Sequence, residues 1–170
     1  MTLDFLKASI GADMASVDAV LRRSLSSEVV LIRRIAEYIV GSGGKRLRPA
    51  LVLLAAKASG DPEGHRHTLA AVVEMIHTAT LLHDDVVDES TQRRGRATAN
   101  AAFGNAASVL VGDFLYSRAF QMMVSTGRMR VLEILSDATN VIAEGEVLQL
   151  MHAGDATLDE DGYVEVIRRK

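Results

Sequence analysis

Cysteine is missing from this 170-residue chain, and so is tryptophan. With no thiol there can be no disulfide and no thiolate metal centre. Aromatic residues make up 4% of the sequence and prolines number two, so few helix breakers interrupt it and the core must come from Ala, Leu, Val and Met. Long apolar runs are absent too: none approaches the ~20 residues a membrane-spanning helix needs. The start does not read as a signal peptide, because Asp4 and Lys7 interrupt it and no apolar core with a cleavage site follows. No internal repeat or low-complexity segment is present. No charge of one sign dominates; the net charge of −3 gives no support for general nucleic-acid binding. These absences are compatible with a cytoplasmic protein that has no transmembrane segment.

What is present is helical patterning. Hydrophobic residues make up 48% of the chain, and the length suits a single domain with a real core. Apolar positions at Leu3, Leu6, Ile10, Met14, Val17, Val20 and Leu21 follow helical spacing over residues 3–25. Ser27 is placed to cap a second helix over 28–40. Pro49 suits the first turn of a third helix, which runs through Leu51, Leu54 and Ala58 until Gly60-Asp61-Pro62 ends it. His65 and His67 read as surface histidines in the following turn. A dense apolar helix is expected over 68–88, a polar loop over 89–102, and long helices over 105–125 and 128–151. Thr157-Leu158-Asp159-Glu160 has the capping-box pattern for a last helix, which reaches Lys170 without a C-cap and so suggests a truncated chain. The expected class is all-α.

The chemistry concentrates where the fourth helix ends, at Leu82-His83-Asp84-Asp85-Val86-Val87-Asp88, followed by Arg93-Arg94-Gly95. A helix turns ~100° per residue, so Asp84 and Asp88 share a face, Asp85 flanks it, and His77 lies two turns back on nearly the same line. Carboxylates set into an apolar run need compensation. Oxygen donors on one helix face suit Mg²⁺, whose remaining positions are usually filled by water and substrate phosphates. Guanidinium groups just downstream suit the same phosphates. The stretch reads as a metal–diphosphate site. Taken alone, it also fits a helix end that has reached solvent with two surface arginines.

A second basic cluster lies earlier, in Gly41-Ser42-Gly43-Gly44-Lys45-Arg46-Leu47-Arg48-Pro49. Glycines there permit close approach or positive φ, and Lys45 and Arg48 stand at a helix N-terminus whose free N–H groups already favour an anion. A flexible turn with solvated charges is the plainer reading of that segment, and a hydrogen-bonded core histidine is the plainer reading of His77.

The motifs Gly43-Gly44-Lys45-Arg46-Leu47-Arg48-Pro49, His77, Asp84-Asp85-Val86-Val87-Asp88, Arg93-Arg94-Gly95 and Gly112-Asp113-Phe114 stand in one order, and in it the whole chain resembles the trans-isoprenyl diphosphate synthases (polyprenyl synthetases). It is most similar to the long-chain members, the octaprenyl type of the quinone pathway among them. The resemblance implies an antiparallel helical bundle of the isoprenoid (terpenoid) synthase type, a homodimer, and Mg²⁺-dependent condensation of isopentenyl diphosphate onto an allylic diphosphate such as farnesyl diphosphate. It implies that Asp84 and Asp88 hold Mg²⁺ with Asp85 in support, and that Arg93 and Lys170 bind the allylic diphosphate. Lys45, Arg48, His77 and Arg94 are implied to bind isopentenyl diphosphate. The family has a second Asp-rich motif that this chain does not reach, so residues 1–170 are expected to be an N-terminal part that does not complete catalysis alone.

Two further expectations concern product and class. Ala79 and Thr80 lie five and four residues before Asp84, ~6–7.5 Å deeper along the helix. Small residues at that level leave room for a long product, with Met123 on the neighbouring helix as the candidate floor. A terpene cyclase also carries an Asp-rich Mg²⁺ motif, but it handles one diphosphate, which the separate Lys45/Arg48 cluster argues against. A non-catalytic subunit is the third class.

Overall fold

The computed structural model describes residues 3–41, 43–60 and 64–170, without the side chains of residues 3–8 and 40. Ser42, Asp61 and Pro62, and the side chains of Leu3 and Leu6 invoked above, lie outside the described residues. The chain divides into two compact units, Met1–Thr126 and Gly127–Lys170, which are taken in turn.

The first unit contains α1 (Leu3–Ser24), α2 (Val30–Val40), α3 (Leu47–Ala58), α4 (Arg66–Val87), a hairpin of β1 (Gln92–Arg93) and β2 (Arg96–Ala97), α5 (Ala99–Phe103) and α6 (Asn105–Ser125). Helix α4 is the hub: it packs most extensively on α6 and also against α3, α1 and α5. Ala70, Ala71 and Ala79 of α4 have no exposed surface, so its neighbours approach the backbone closely. Val17 of α1, Ile35 of α2, Leu53 of α3, Met75 of α4, and Leu115 and Met123 of α6 complete the core. Gly112 shows why α6 needs a glycine: the His83 imidazole of α4 occupies the place of its missing Cβ. Ser108, one turn earlier, donates from Oγ to the Leu82 carbonyl at 3.1 Å.

One carboxylate ties three helices. Asp13 of α1 meets His67 at 2.7 Å, Lys57 at 3.0 Å and Arg66 at 3.2 Å. His67 is thus a hydrogen-bonding partner of Asp13 rather than a free surface group. The His67 hydrogen bond foremost, with those of Lys57 and Arg66, holds the Asp13 carboxyl far below the usual carboxylate range, against a smaller opposing effect of burial.

Several local expectations shift. Ser27 does not cap α2; its Oγ accepts from Val29 N–H two residues on, and the helix starts at Val30 with no side-chain cap. A serine makes such a local turn as readily as a cap. The 89–102 segment is not all loop. It holds the hairpin, whose Arg94-Gly95 turn has φ of +53° and +75°, the type I′ geometry that two-residue hairpins favour. It also holds α5, capped by Thr98, which accepts from Ala101 N–H.

The second unit contains α7 (Met129–Met151) and α8 (Glu160–Arg169), packed on each other. Asp159, not Thr157, caps α8: its Oδ1 accepts from Gly162 N–H at 2.9 Å. Thr157 is drawn off by Asp155, to which it donates from both N–H and Oγ1. Gly145 admits Arg169, whose backbone and Cβ lie where a side chain would stand. Among the described residues no helix is long and apolar enough to cross a membrane.

Candidate active site

The site is built on the C-terminal half of α4. Asp84 is half-buried, Asp85 is buried, and Asp88 is the exposed residue that closes the helix. The turn of ~100° between neighbours separates their fates. Asp85 faces inward and takes Arg93 from β1 in a two-pronged pair, with Nε at 2.9 Å and Nη2 at 2.8 Å from Oδ1. This hydrogen bond raises the Arg93 pKa most, while burial opposes it and the charges of Asp85, Asp84 and Asp88 add to it. Arg93 therefore stands within the field of all three aspartates, fixed by one of them. Asn100 locks the same corner from behind, donating to the carbonyls of Asp85 and Ser90 at 3.1 Å each.

The basic cluster approaches from α3. Arg46, the N-cap of α3, has φ of +49° and no side-chain cap. Its side chain turns inward to Glu74 of α4 at 2.7 Å, with Asp18 of α1 at 3.6 Å. Lys45 precedes the cap, Arg48 lies in the first turn, and both are exposed. Arg48 Nη1 stands 3.2 Å from His77 Nε2. A guanidinium has no acceptor, so Nε2 must accept and His77 is neutral there. Burial first, then the Arg48 charge, lowers the His77 pKa below its usual value.

The hairpin closes the arrangement. Arg94, at its tip, donates to the Gly43 carbonyl, and Gly44 has no side chain because the Arg94 guanidinium fills that space. A cavity of about 90 Å³ remains, lined by His77, Asp85, Arg93, Arg94, Arg46 and Glu74 among others. Both carboxylates on its wall are already paired to an arginine, so its surplus charge is positive. The rest of its wall is largely apolar, with Leu21, Leu25, Ile39, Met75 and Leu81 among the lining residues.

The expected residues thus divide. His77, Arg93 and Arg94 line one cavity; Arg48 is bonded to His77; Asp84 and Asp88 flank Arg93 electrostatically. Ala79 and Met123 are fully buried and Thr80 donates to the His77 carbonyl at 2.8 Å; none of these three lines the cavity. Lys170, in the second unit, holds Glu146 at 2.8 Å and Gln149 at 2.7 Å. Arg46, Glu74, Tyr38 and Arg96 escaped the sequence reading. Glu74 did leave a signal, as a carboxylate inside the apolar run 69–76.

The polyprenyl synthetase family profile matches residues 29–170. Octaprenyl diphosphate synthase of Escherichia coli is 59% identical over 171 aligned residues, which cover 100% of this chain and 53% of the relative. A crystal structure of a decaprenyl diphosphate synthase from Rhodobacter capsulatus superposes with a TM-score of 0.92 at 55% identity, covering 98% of this chain and 52% of that one. The polyprenyl synthase of Caulobacter crescentus, solved in complex with calcium and isoprenyl diphosphate, gives a TM-score of 0.96 at 50% identity, covering 99% and 52%. The chain spans about half the length of the curated relatives it matches. The all-α isoprenoid-synthase fold expected from the motifs is the one these structures share. With its ordered motifs and this agreement over its full length, the chain belongs to the polyprenyl synthetase family.

Proposed function

We propose that this chain carries the diphosphate-binding wall of a trans-prenyltransferase that extends an allylic diphosphate, farnesyl diphosphate among them, with isopentenyl diphosphate into a long all-trans polyprenyl diphosphate for quinone side chains. The observation that carries the proposal is the gathering of His77, Arg93 and Arg94 on one positively charged cavity, with Arg48 bonded to His77.

Asp84 and Asp88 are the proposed Mg²⁺ ligands. Among the described residues no group of three His, Asp or Glu side chains could hold a metal unaided. That fits Mg²⁺, which needs only one or two protein carboxylates where substrate phosphates complete its shell. When bound, the ion supplies positive charge to the departing pyrophosphate. Arg93, steadied by Asp85, binds the allylic diphosphate; a role for Lys170 there rests on the family resemblance alone. Asp85 is a positioning residue, since its carboxylate is spent on Arg93. Lys45, Arg48, His77 and Arg94 bind isopentenyl diphosphate, with the α3 N-terminus adding its dipole. Ala79, Thr80 and Met123 set product length. Residues 1–170 form the N-terminal part of one domain, in a cytoplasmic homodimer.

The test is incubation with Mg²⁺, labelled isopentenyl diphosphate and farnesyl diphosphate. It uses this chain alone and a chimera in which it replaces the matching half of the Escherichia coli octaprenyl diphosphate synthase. Long polyprenyl product from the chimera is expected. A cyclic hydrocarbon would instead indicate a terpene cyclase, and no product from a folded chimera a non-catalytic subunit.

A further inference from the structure

Between α2 and α3, the described residues 43–46 carry Lys45 without regular secondary structure. The end of this turn is anchored by the Arg46 side chain on Glu74 and Asp18, and its start at Gly41 is tied to the β-hairpin more than 50 positions later. Arg96 Nη1 donates to the Gly41 carbonyl at 3.0 Å. The same guanidinium lies over the Tyr38 ring, 4.9 Å from its centroid. Tyr38 Oη donates back to the Ala97 carbonyl at 2.6 Å, and Phe103 packs edge-on against Tyr38 at 5.4 Å. Arg94 adds its bond to Gly43 through Nη1, and an incoming anion would share the remaining donors of that guanidinium.

From these contacts we infer that Arg96 and Tyr38 form a clasp that positions the Lys45/Arg48 turn for isopentenyl diphosphate. The inference rests on the reading of that turn as its binding site. Arg96 also lines the cavity, but in this role it acts through the Gly41 carbonyl, and Tyr38 acts through the Ala97 carbonyl of β2. The division of labour has a physical basis. A charged donor on the Gly41 carbonyl, backed by a cation–π contact, holds the start of the turn however Arg94 divides its donors between Gly43 and an anion. Without the clasp the stretch leading from Gly41 to the anchored Arg46 gains freedom, which binding has to remove.

The experiment titrates isopentenyl diphosphate calorimetrically into the wild-type chain and into Arg96→Ala, Tyr38→Phe and Arg118→Ala. Amide hydrogen exchange of residues 43–48 is measured in each without ligand. Arg118, stacked on Phe114 of its own helix, is the control for losing a ring-bound arginine elsewhere. Arg96→Ala is expected to weaken binding about tenfold, the effect of one charge-assisted hydrogen bond, and Tyr38→Phe a few-fold. Exchange at 43–48 should quicken in both while exchange in α6 stays unchanged. Arg118→Ala should bind as wild type. Unchanged exchange at 43–48 in Arg96→Ala, or equal weakening by Arg118→Ala, overturns the clasp. A wild-type chain that binds no isopentenyl diphosphate overturns the functional reading instead, and the exchange data still decide the clasp.

Discussion

Asp84 and Asp85 are neighbours with different surroundings, and the difference predicts unequal costs. Asp85 is 4% exposed, whereas the Arg93 side chain is 38% exposed. Arg93→Ala strands a buried carboxylate and should cost about 3–5 kcal/mol in urea denaturation. Asp85→Asn leaves an arginine that water can reach and should cost less, about 1–2 kcal/mol. Equal losses would refute the asymmetry. His77 offers a pH test with a defined sign. Its folded pKa lies below the ordinary 6.5, so the unfolded chain binds more protons in that window. Its contribution to stability is full above the unfolded pKa and is lost as pH falls through the folded one. Urea midpoints should therefore drop more for wild type than for His77→Gln between about pH 7.5 and pH 5.5.

Among the helices, Asp13 is the tie whose loss should be most visible in acid. Its folded pKa is depressed, so its contribution is present above the unfolded carboxylate pKa and fades as pH falls below about 4. Acid unfolding followed by circular dichroism should be shallower in Asp13→Asn, which has no such carboxylate to protonate. The helix α4 also separates the two chain-length candidates. Ala79 has no exposed surface, so Ala79→Tyr overpacks the core and should cost about 1–3 kcal/mol. Thr80 is half-buried and is the better place for a ring. Thr80→Tyr in the active chimera should shorten the product while leaving the first condensation intact. A full-length product from that variant would remove the steric account.

For the whole molecule, the decisive variant is Asp84→Ala in the chimera, expected to lose more than about 2 kcal/mol of transition-state stabilisation in kcat/KM at saturating Mg²⁺. Near-wild-type turnover would withdraw Asp84 from the metal site. What the sequence determined by itself was local or strung along the chain: helices read from their ~100° periodicity, the shared face of Asp84 and Asp88, and an ordered motif set that agreed with the family match. Cap choice was less legible, because Ser27 and Thr157 each make a competing local hydrogen bond instead. Only the tertiary structure decided that Asp85 is spent on Arg93, that Arg46 turns inward to Glu74, that Arg96 bonds the Gly41 carbonyl 55 positions earlier, and that Tyr38 bonds the Ala97 carbonyl 59 positions later. The reason is physical: periodicity is set by each residue's own backbone, whereas the partner of a charge is set by which helices pack together, and that packing is a property of the whole core.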